Sequence, residues 1–167
     1  MYDLHSILIQ LKKEDTPLHG VMVRCVRCFY QWLDPTLWEG SALFELCYGD
    51  LRQRLSPNAK TDAGSLGDRF GFDTPPELPR LLQSIQTFYS VLIKLIAWNP
   101  LRGATPEPPL TELLSGRAFV NRGIRNFCGD DWYIWPLDIW DPALETQCEE
   151  LRACLKSFDT CPEGSTL

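Results

Sequence analysis

The sequence predicts an all-α protein, a single compact helical domain of about five or six helices with long loops rich in proline and glycine. Apolar residues recur every three to four positions in several segments, which is the pattern of helices with one buried face. No two alternating apolar segments are joined by a hairpin turn, as paired strands would require. The chain has 167 residues, of which 44% are hydrophobic and 23% are charged, so it can bury a core. We expect the domain to cover residues 1–160, followed by a flexible tail over residues 161–167.

Three helices are predicted in the first third of the chain. The first ends near Lys12 and Lys13, whose charges suit a helix C-terminus. The second follows the turn EDTP and extends to about Leu33, and the third begins at Asp34 and Pro35, a cap and a first helical residue. Their apolar positions are Leu4, Ile7, Leu8 and Leu11, then Leu18, Met22, Cys25, Phe29 and Trp32, and then Leu37, Phe44, Cys47, Leu51 and Leu55.

The remaining helices are separated by segments rich in proline and glycine. Residues 56–79 show little periodicity, so we predict a long connection there. Residues 80–98 are apolar on more than one face, which predicts the central and most buried helix. The segment PLTELLSG predicts one short helix that ends at Gly116. The last helix begins at the cap of Asp141 and Pro142, and its apolar positions are Leu144, Cys148, Leu151, Leu155 and Phe158.

Charge and apolarity exclude several classes of protein. Residues 126–159 hold eight acids and two bases and account for the formal net charge of −6. Because nucleic-acid affinity rests on lysine and arginine, direct contact with nucleic acid through this segment is not expected. The longest apolar run, Phe88–Trp98, is too short and too polar to cross a bilayer. With no secretory signal and an odd number of cysteines, seven, the chain is predicted to be cytoplasmic and to hold free thiols.

The pair CVRC at residues 25–28 is the first candidate for chemistry. Cysteine pairs with this spacing hold zinc when a second pair completes a tetrahedron. This chain has no second pair, so His5, His19 or Cys47 would have to supply the other ligands. Because the pair lies in the apolar stripe of a helix, the sequence favours packed thiols. We expect no bound metal and no cofactor.

No catalytic constellation is visible in the sequence. A nucleophile would need a histidine base, and only His5 and His19 are available. The chain has no Gly-x-Ser-x-Gly elbow, no phosphate-binding glycine loop and no His-Glu-x-x-His pair. Asp130 and Asp131 could form an acid/base pair, although a turn and cap is the favoured interpretation. We therefore assign no catalytic residue and expect no activity from the chain alone.

The stretch GIRNFCGDDWYIWPLDIWD, residues 123–141, is the most distinctive in the chain. It holds three of the six tryptophans together with four aspartates. Three interpretations stand: closure of the core, a partner interface, and a base-stacking platform, which would need a positive groove instead of a negative one. The aspartates are costly to bury, so we predict that part of the stretch anchors the core and part forms an acidic, aromatic edge for a protein partner. The candidate partner-binding residues are Asp130, Asp131, Trp132, Trp135 and Trp140.

Two segments carry a resemblance to a known family. QTFYSVLIKLIAWN, followed after a loop and a short helix by GIRNFCGDDWYIWPLDIWD, resembles a helical region that precedes the catalytic domain in large N6-adenine DNA methylases of restriction–modification and phage-defence systems. The similarity covers roughly residues 44–158. The Asn/Asp-Pro-Pro-Tyr/Phe motif and the S-adenosylmethionine site of those enzymes do not occur here, so no methylase active residue is carried over.

The resemblance implies a non-catalytic helical subunit or fragment of such an enzyme, with methyl transfer carried out by a partner. A free-standing helical adaptor or assembly protein, unrelated to methylation, is the competing hypothesis. A third hypothesis is an acidic face that mimics DNA to block a nuclease. It is weaker because acids are only 22 of 167 residues.

Overall fold

Seven α-helices make up most of the part of the chain that the structure, a computed structural model, describes: residues 2–34, 49, 51, 53, 60–101, 106–127 and 135–159. They are α1 (Leu4–Lys12), α2 (Pro17–Trp32), α3 (Lys60–Arg69), α4 (Leu78–Trp98), α5 (Leu110–Leu114), α6 (Arg117–Val120) and α7 (Pro142–Lys156). Two short 3₁₀ turns cover Asn99–Leu101 and Trp135–Leu137. No strand occurs among these residues, and the predicted all-α class is confirmed.

Three helices, α1, α2 and α7, begin where a side chain accepts from their first backbone N–H groups. The Asp3 carboxylate accepts from the N–H groups of His5 and Ser6 at the start of α1. At the start of α7, Asp141 accepts from the N–H of Ala143 at 2.7 Å, with Pro142 in the first helical position. The cap predicted for the last helix is therefore confirmed. The first N–H groups of a helix have no carbonyl acceptor within the helix, and the short aspartate side chain accepts one of these hydrogen bonds instead.

Helices α2 and α4 form the centre of the domain. Helix α4 packs against α2, α3, α5 and α7, and Phe88 and Leu92 on it are buried, so the central place predicted for residues 80–98 is confirmed. Helix α2 shares this place because it also contacts α1 and α7. Phe29 on α2, 1% exposed, lies in the same core cluster as the α4 residues.

The apolar stripe predicted for α1 is only half buried. Ile7 and Leu11 are in the core, but Leu4 and Leu8 are 53% and 57% exposed. Helix α1 packs chiefly against α2, so only a narrow side of it meets another helix. A four-position stripe is broader than that contact, which leaves two of the predicted positions in solvent.

The prediction of a structureless connection over residues 56–79 is wrong for Lys60–Arg69, which form α3. Gly64 and Gly67 suggested a loop because glycine weakens helices. In the structure Gly67 allows a close approach: a Cβ atom there would lie 2.5 Å from Cδ of Pro76. Ala63 and Phe70 are buried beside it, so packing overrides the low helix propensity of the segment.

The short helix predicted at PLTELLSG is observed as α5, and a second short helix, α6, follows it. Gly116 separates them with a backbone φ of 80°, in the left-handed region that glycine adopts without strain. The buried Lys94 of α4 donates a hydrogen bond to the carbonyl of Leu114 at 2.7 Å. This charge satisfies a carbonyl at the C-terminus of α5 and fixes it against the central helix.

The two ends of the described chain meet. The N–H of Asp3 donates to the carbonyl of Phe158 at 3.0 Å, and Tyr2 and Asp159 form an isolated antiparallel bridge. The side chain of Asn99, just after α4, lies 3.4 Å from the Asp159 carboxylate. The start of α1 and the end of α7 are thus held together beside the end of the central helix.

Two further predictions lie outside the described residues. The third helix, predicted from Asp34 to Leu55, is described only at residues 49, 51 and 53, which are helical. The tail predicted over residues 161–167 is not described at all. The structure therefore tests neither the domain boundary at residue 160 nor the full extent of that helix.

Helix α4 also accounts for the most apolar stretch of the described chain. By length and composition, Leu78–Leu101 would be able to cross a membrane, and 56% of its most apolar window is buried inside the domain. A core helix has the same composition as a membrane span of this length. The apolar run Phe88–Trp98 is thus part of a longer helix, and by length the expectation that it is too short to cross a bilayer is not confirmed. Helix α4 packs against four other helices of the described chain.

Candidate functional site

The structure describes the two ends of the aromatic stretch, residues 123–127 and 135–141. Three of the candidate partner-binding residues, Asp130, Asp131 and Trp132, lie outside the described residues. The placements of Trp135 and Trp140 are described, and they differ.

Trp135 is a core residue, 5% exposed. Its ring meets that of Phe29 edge to face with centroids 5.9 Å apart, and its indole N–H donates to the hydroxyl of Thr87 at 2.8 Å. The partner-binding role predicted for Trp135 is corrected, because a ring enclosed between α2 and α4 does not reach a partner. Phe127, at the other end of the stretch, also packs inward, with its ring 4.3 Å from that of Phe119.

Trp140 lies at the edge of the domain. It is partly buried against the core cluster and partly open to solvent. Asp138, two residues earlier, is exposed, and Asp141 caps α7 immediately after it. These three residues form what we call the aromatic edge: an indole with one accessible side between two carboxylates.

The acids of the C-terminal third do not form one continuous negative face. Glu150 pairs with Arg24 at 2.9 Å, and Glu149 forms an ion pair with Arg152. Asp141 is engaged as a helix cap. At least three of the six acids that the structure describes in residues 126–159 are thus engaged within the chain, which counts against mimicry of a DNA backbone.

A groove of about 470 Å³ runs between α2 and α7. The two helices lie antiparallel, because Arg24 pairs with Glu150 while the Cys25 thiol contacts the carbonyl of Gln147 at 3.5 Å, one turn nearer the start of α7. The groove is lined by Val23, Arg24, Arg27, Cys28, Gln31, Ala143, Thr146 and Gln147. The position of Arg24 and Arg27 off the apolar stripe of α2 was the signal available in the sequence, but a groove needs the partner helix to be known.

Cysteines lie beside and beneath this groove. Cys25 and Cys148 are buried free thiols, and Cys28 is partly exposed on the groove wall. Burial raises the pKa of Cys148 to about 12, with the nearby Cys28 as a second cause. Burial also raises the pKa of Cys25 and of Cys28, and the charge of Asp141 adds to the effect on Cys28.

These thiols suit packing better than chemistry. A thiol with a raised pKa carries little thiolate at neutral pH, and the thiolate is the reactive and metal-binding form. Within the described ranges, no three His, Cys, Asp or Glu side chains are grouped so as to hold a metal ion. His5 is exposed on α1 and His19 is buried near the start of α2, while Cys47 lies outside the described residues.

Comparison with protein-family models, with curated proteins and with solved structures finds no match for the chain. The candidate surfaces therefore rest on their geometry, and the likeness to methylases rests on the quoted segments alone. Two surfaces offer polar groups beside accessible apolar or aromatic groups: the aromatic edge and the groove between α2 and α7.

Proposed function

We propose that this chain is a non-catalytic helical subunit that acts through protein–protein contacts, with the aromatic edge as one contact surface. One observation carries the proposal: Trp140 keeps an accessible side next to the exposed Asp138, whereas Trp135 of the same stretch is buried. A partly exposed tryptophan between carboxylates is costly to leave in water and is the residue type most often found at the centre of interfaces.

The edge fits a partner with a basic rim around an apolar pocket. The indole would fill the pocket and supply most of the binding energy. Asp138, which faces solvent, would attract the basic rim and increase the association rate. This division of roles predicts that added salt slows association more than it speeds dissociation.

The partner that we propose is the catalytic subunit of an N6-adenine DNA methylase in a restriction–modification or phage-defence system, in the cytoplasm. This part of the proposal is supported by the resemblance of residues 86–99 and 123–141 to the helical region of such enzymes. A free-standing helical adaptor with another partner is the second candidate, and the aromatic edge supports it equally. In the first candidate, methyl transfer is carried out by the partner.

The test is retention of partners by the tagged chain in extracts of its native host, with Trp140→Ala as the variant. We expect retention to weaken by about 2 kcal/mol, roughly thirtyfold. The thermal unfolding midpoint should fall as well, because part of the indole packs on the core, so retention is measured at a temperature where both proteins are folded. Tyr89→Ala on α4, which removes another exposed ring, is the matched control and should leave retention unchanged.

The identity of the retained protein separates the two candidates. A protein with an Asn/Asp-Pro-Pro-Tyr/Phe motif supports the methylase subunit, and a protein without it supports the adaptor. If Trp140→Ala and Tyr89→Ala retain partners as well as the unaltered chain does, the aromatic edge is not a contact surface.

A further inference from the structure

Arg27 is an exposed arginine on the wall of the groove, next to an aromatic ring. Its guanidinium lies 5.8 Å from the centre of the Phe72 ring, and Phe72 in turn meets Tyr30 edge to face at 4.8 Å. In the part of the chain that the structure describes, no carboxylate lies within ion-pairing distance of Arg27. A guanidinium held by an aromatic ring keeps its planar donors available, and these match the two oxygens of a carboxylate.

Gln147 on the facing helix carries an acceptor without a donor. Its side-chain oxygen is buried, and no donor among the described residues lies within hydrogen-bond distance of it. Buried acceptors of this kind are rare because each one loses its hydrogen bonds to water without replacement. Gln147 also lines the groove, so rotation about its own side-chain bonds can turn the oxygen toward an N–H donor placed there.

The two ends of the groove limit the charge of an occupant. The ion pair of Arg24 and Glu150 stands at one end, and Asp141 lies near Cys28 at the other. A polyanion such as a nucleic acid would place phosphates against these carboxylates. None of the residues that line the groove between these ends is acidic, so a single carboxylate fits opposite Arg27.

We propose that this groove binds a peptide segment of another protein that carries an aspartate or glutamate, with Arg27 receiving the side-chain carboxylate and Gln147 a backbone N–H. From Val23 to Gln31 the wall extends two turns of α2, roughly 12 Å. An extended peptide of about four residues covers that length. Trp140 does not line the groove, although Asp141 of the aromatic edge lies near Cys28 at one end of it.

The experiment is selection of a phage-displayed library of random twelve-residue peptides on the purified chain, followed by affinity measurements with one selected synthetic peptide. Enriched peptides should share an acidic residue at a fixed position. Arg27→Ala should weaken binding about tenfold or more, and Arg27→Lys should restore only part of it, because lysine lacks the planar donors. Arg125→Ala, at another exposed arginine, is the control and should bind normally.

The variant Gln147→Leu tests whether the side chain of Gln147 binds the peptide or stabilises the fold. If the buried oxygen serves only the ligand, leucine should weaken peptide binding severalfold and leave the thermal unfolding midpoint unchanged or higher. A lower midpoint would assign Gln147 to the fold. Trp140→Ala should not change the affinity of the peptide, because Trp140 does not line the groove. Failure of this inference and failure of the Trp140 contact are therefore measured by different variants.

Three results would overturn the inference. The first is a selection that enriches no peptide, or enriches peptides without a shared acid. The second is equal affinity for Arg27→Ala and the unaltered chain. The third is binding of free glutamate as tightly as the peptide, which would assign the groove to a small carboxylate.

Discussion

The hydrogen bond between Trp135 and Thr87 shows how one polar pair permits an indole in the core. The indole N–H would be unsatisfied among apolar side chains, and the Thr87 hydroxyl accepts it at 2.8 Å while donating to the carbonyl of Gln83. Thr87→Val keeps the shape and removes the acceptor, so we expect a loss of about 2 kcal/mol in the free energy of unfolding. Urea denaturation followed by tryptophan fluorescence would measure it.

Thr146 provides the control for this prediction. Its hydroxyl also donates to the carbonyl four residues earlier, but the group is exposed. Thr146→Val should change stability by less than about 0.5 kcal/mol, since water replaces the lost bond. Equal losses at positions 87 and 146 would show that the indole contributes nothing through its N–H.

Because of the Cys148 thiol, we expect the free energy of unfolding to depend on pH. Its pKa is raised to about 12 by burial, whereas an unfolded thiol titrates near pH ~8.5. Above that pH the unfolded chain releases the proton and the folded chain keeps it, so the folded state binds more protons and the free energy of unfolding falls as pH rises. This stability is complete below the unfolded pKa and is lost progressively between the two values.

Cys148→Ala removes this titration. The stability difference between the unaltered chain and the variant should narrow by about 1–2 kcal/mol between pH ~8 and pH ~10. Measuring both proteins over the same range cancels the contributions of the other titrating groups. A constant difference would mean that Cys148 ionises equally in both states.

At the scale of elements, the two interior glycines of α3 should respond oppositely to alanine. A Cβ at Gly67 would lie 2.5 Å from Cδ of Pro76, whereas one at Gly64 would meet nothing within 4 Å. Gly67→Ala should destabilise by about 1–3 kcal/mol through this overlap. Gly64→Ala should stabilise by about 0.5–1 kcal/mol, because alanine is the better helix former. The thermal unfolding midpoints of both variants test this prediction. A higher midpoint for both would show that Pro76 moves aside at little cost to make room for the added Cβ.

The same helix shows where inference from sequence stops. Periodicity and caps were sufficient for α1, α2, α4 and α7, because each has a regular apolar face or a clear cap. Helix α3 was missed because its glycines are the signal of a loop when the residue packed against them is unknown. The groove was missed for a related reason, since it belongs to two helices that are more than a hundred residues apart in the chain. The sequence could not show that Trp135 is buried while Trp140 is partly exposed, because both tryptophans lie among the same types of residue, apolar side chains and aspartates.

At the scale of the whole molecule, the domain is organised around α2. This helix joins α1, α4 and α7 in one core cluster, and its outer side supplies the arginines of the groove. The aromatic edge lies on the chain just before α7, and the groove lies along α7 itself. Partner binding at either surface would therefore stabilise the packing of α7 on α2, because a ligand that binds only the folded state shifts the unfolding equilibrium.

The pairing of Tyr2 with Asp159 determines which part of the domain should open first. Helix α1 is held by one side of α2 and by this single bridge, whereas α2 and α4 are enclosed by several neighbours. Breaking this bridge together with the packing of Ile7 and Leu11 on α2 would release α1 as a unit while the central helices stay folded. Amide hydrogens of α1 should then exchange with solvent much faster than those of α2 and α4, at a rate that does not follow global unfolding. The bridge thus stabilises the docked state of α1 relative to a locally unfolded state. In that locally unfolded state, Ile7 and Leu11 are transiently exposed together with the apolar side of α2.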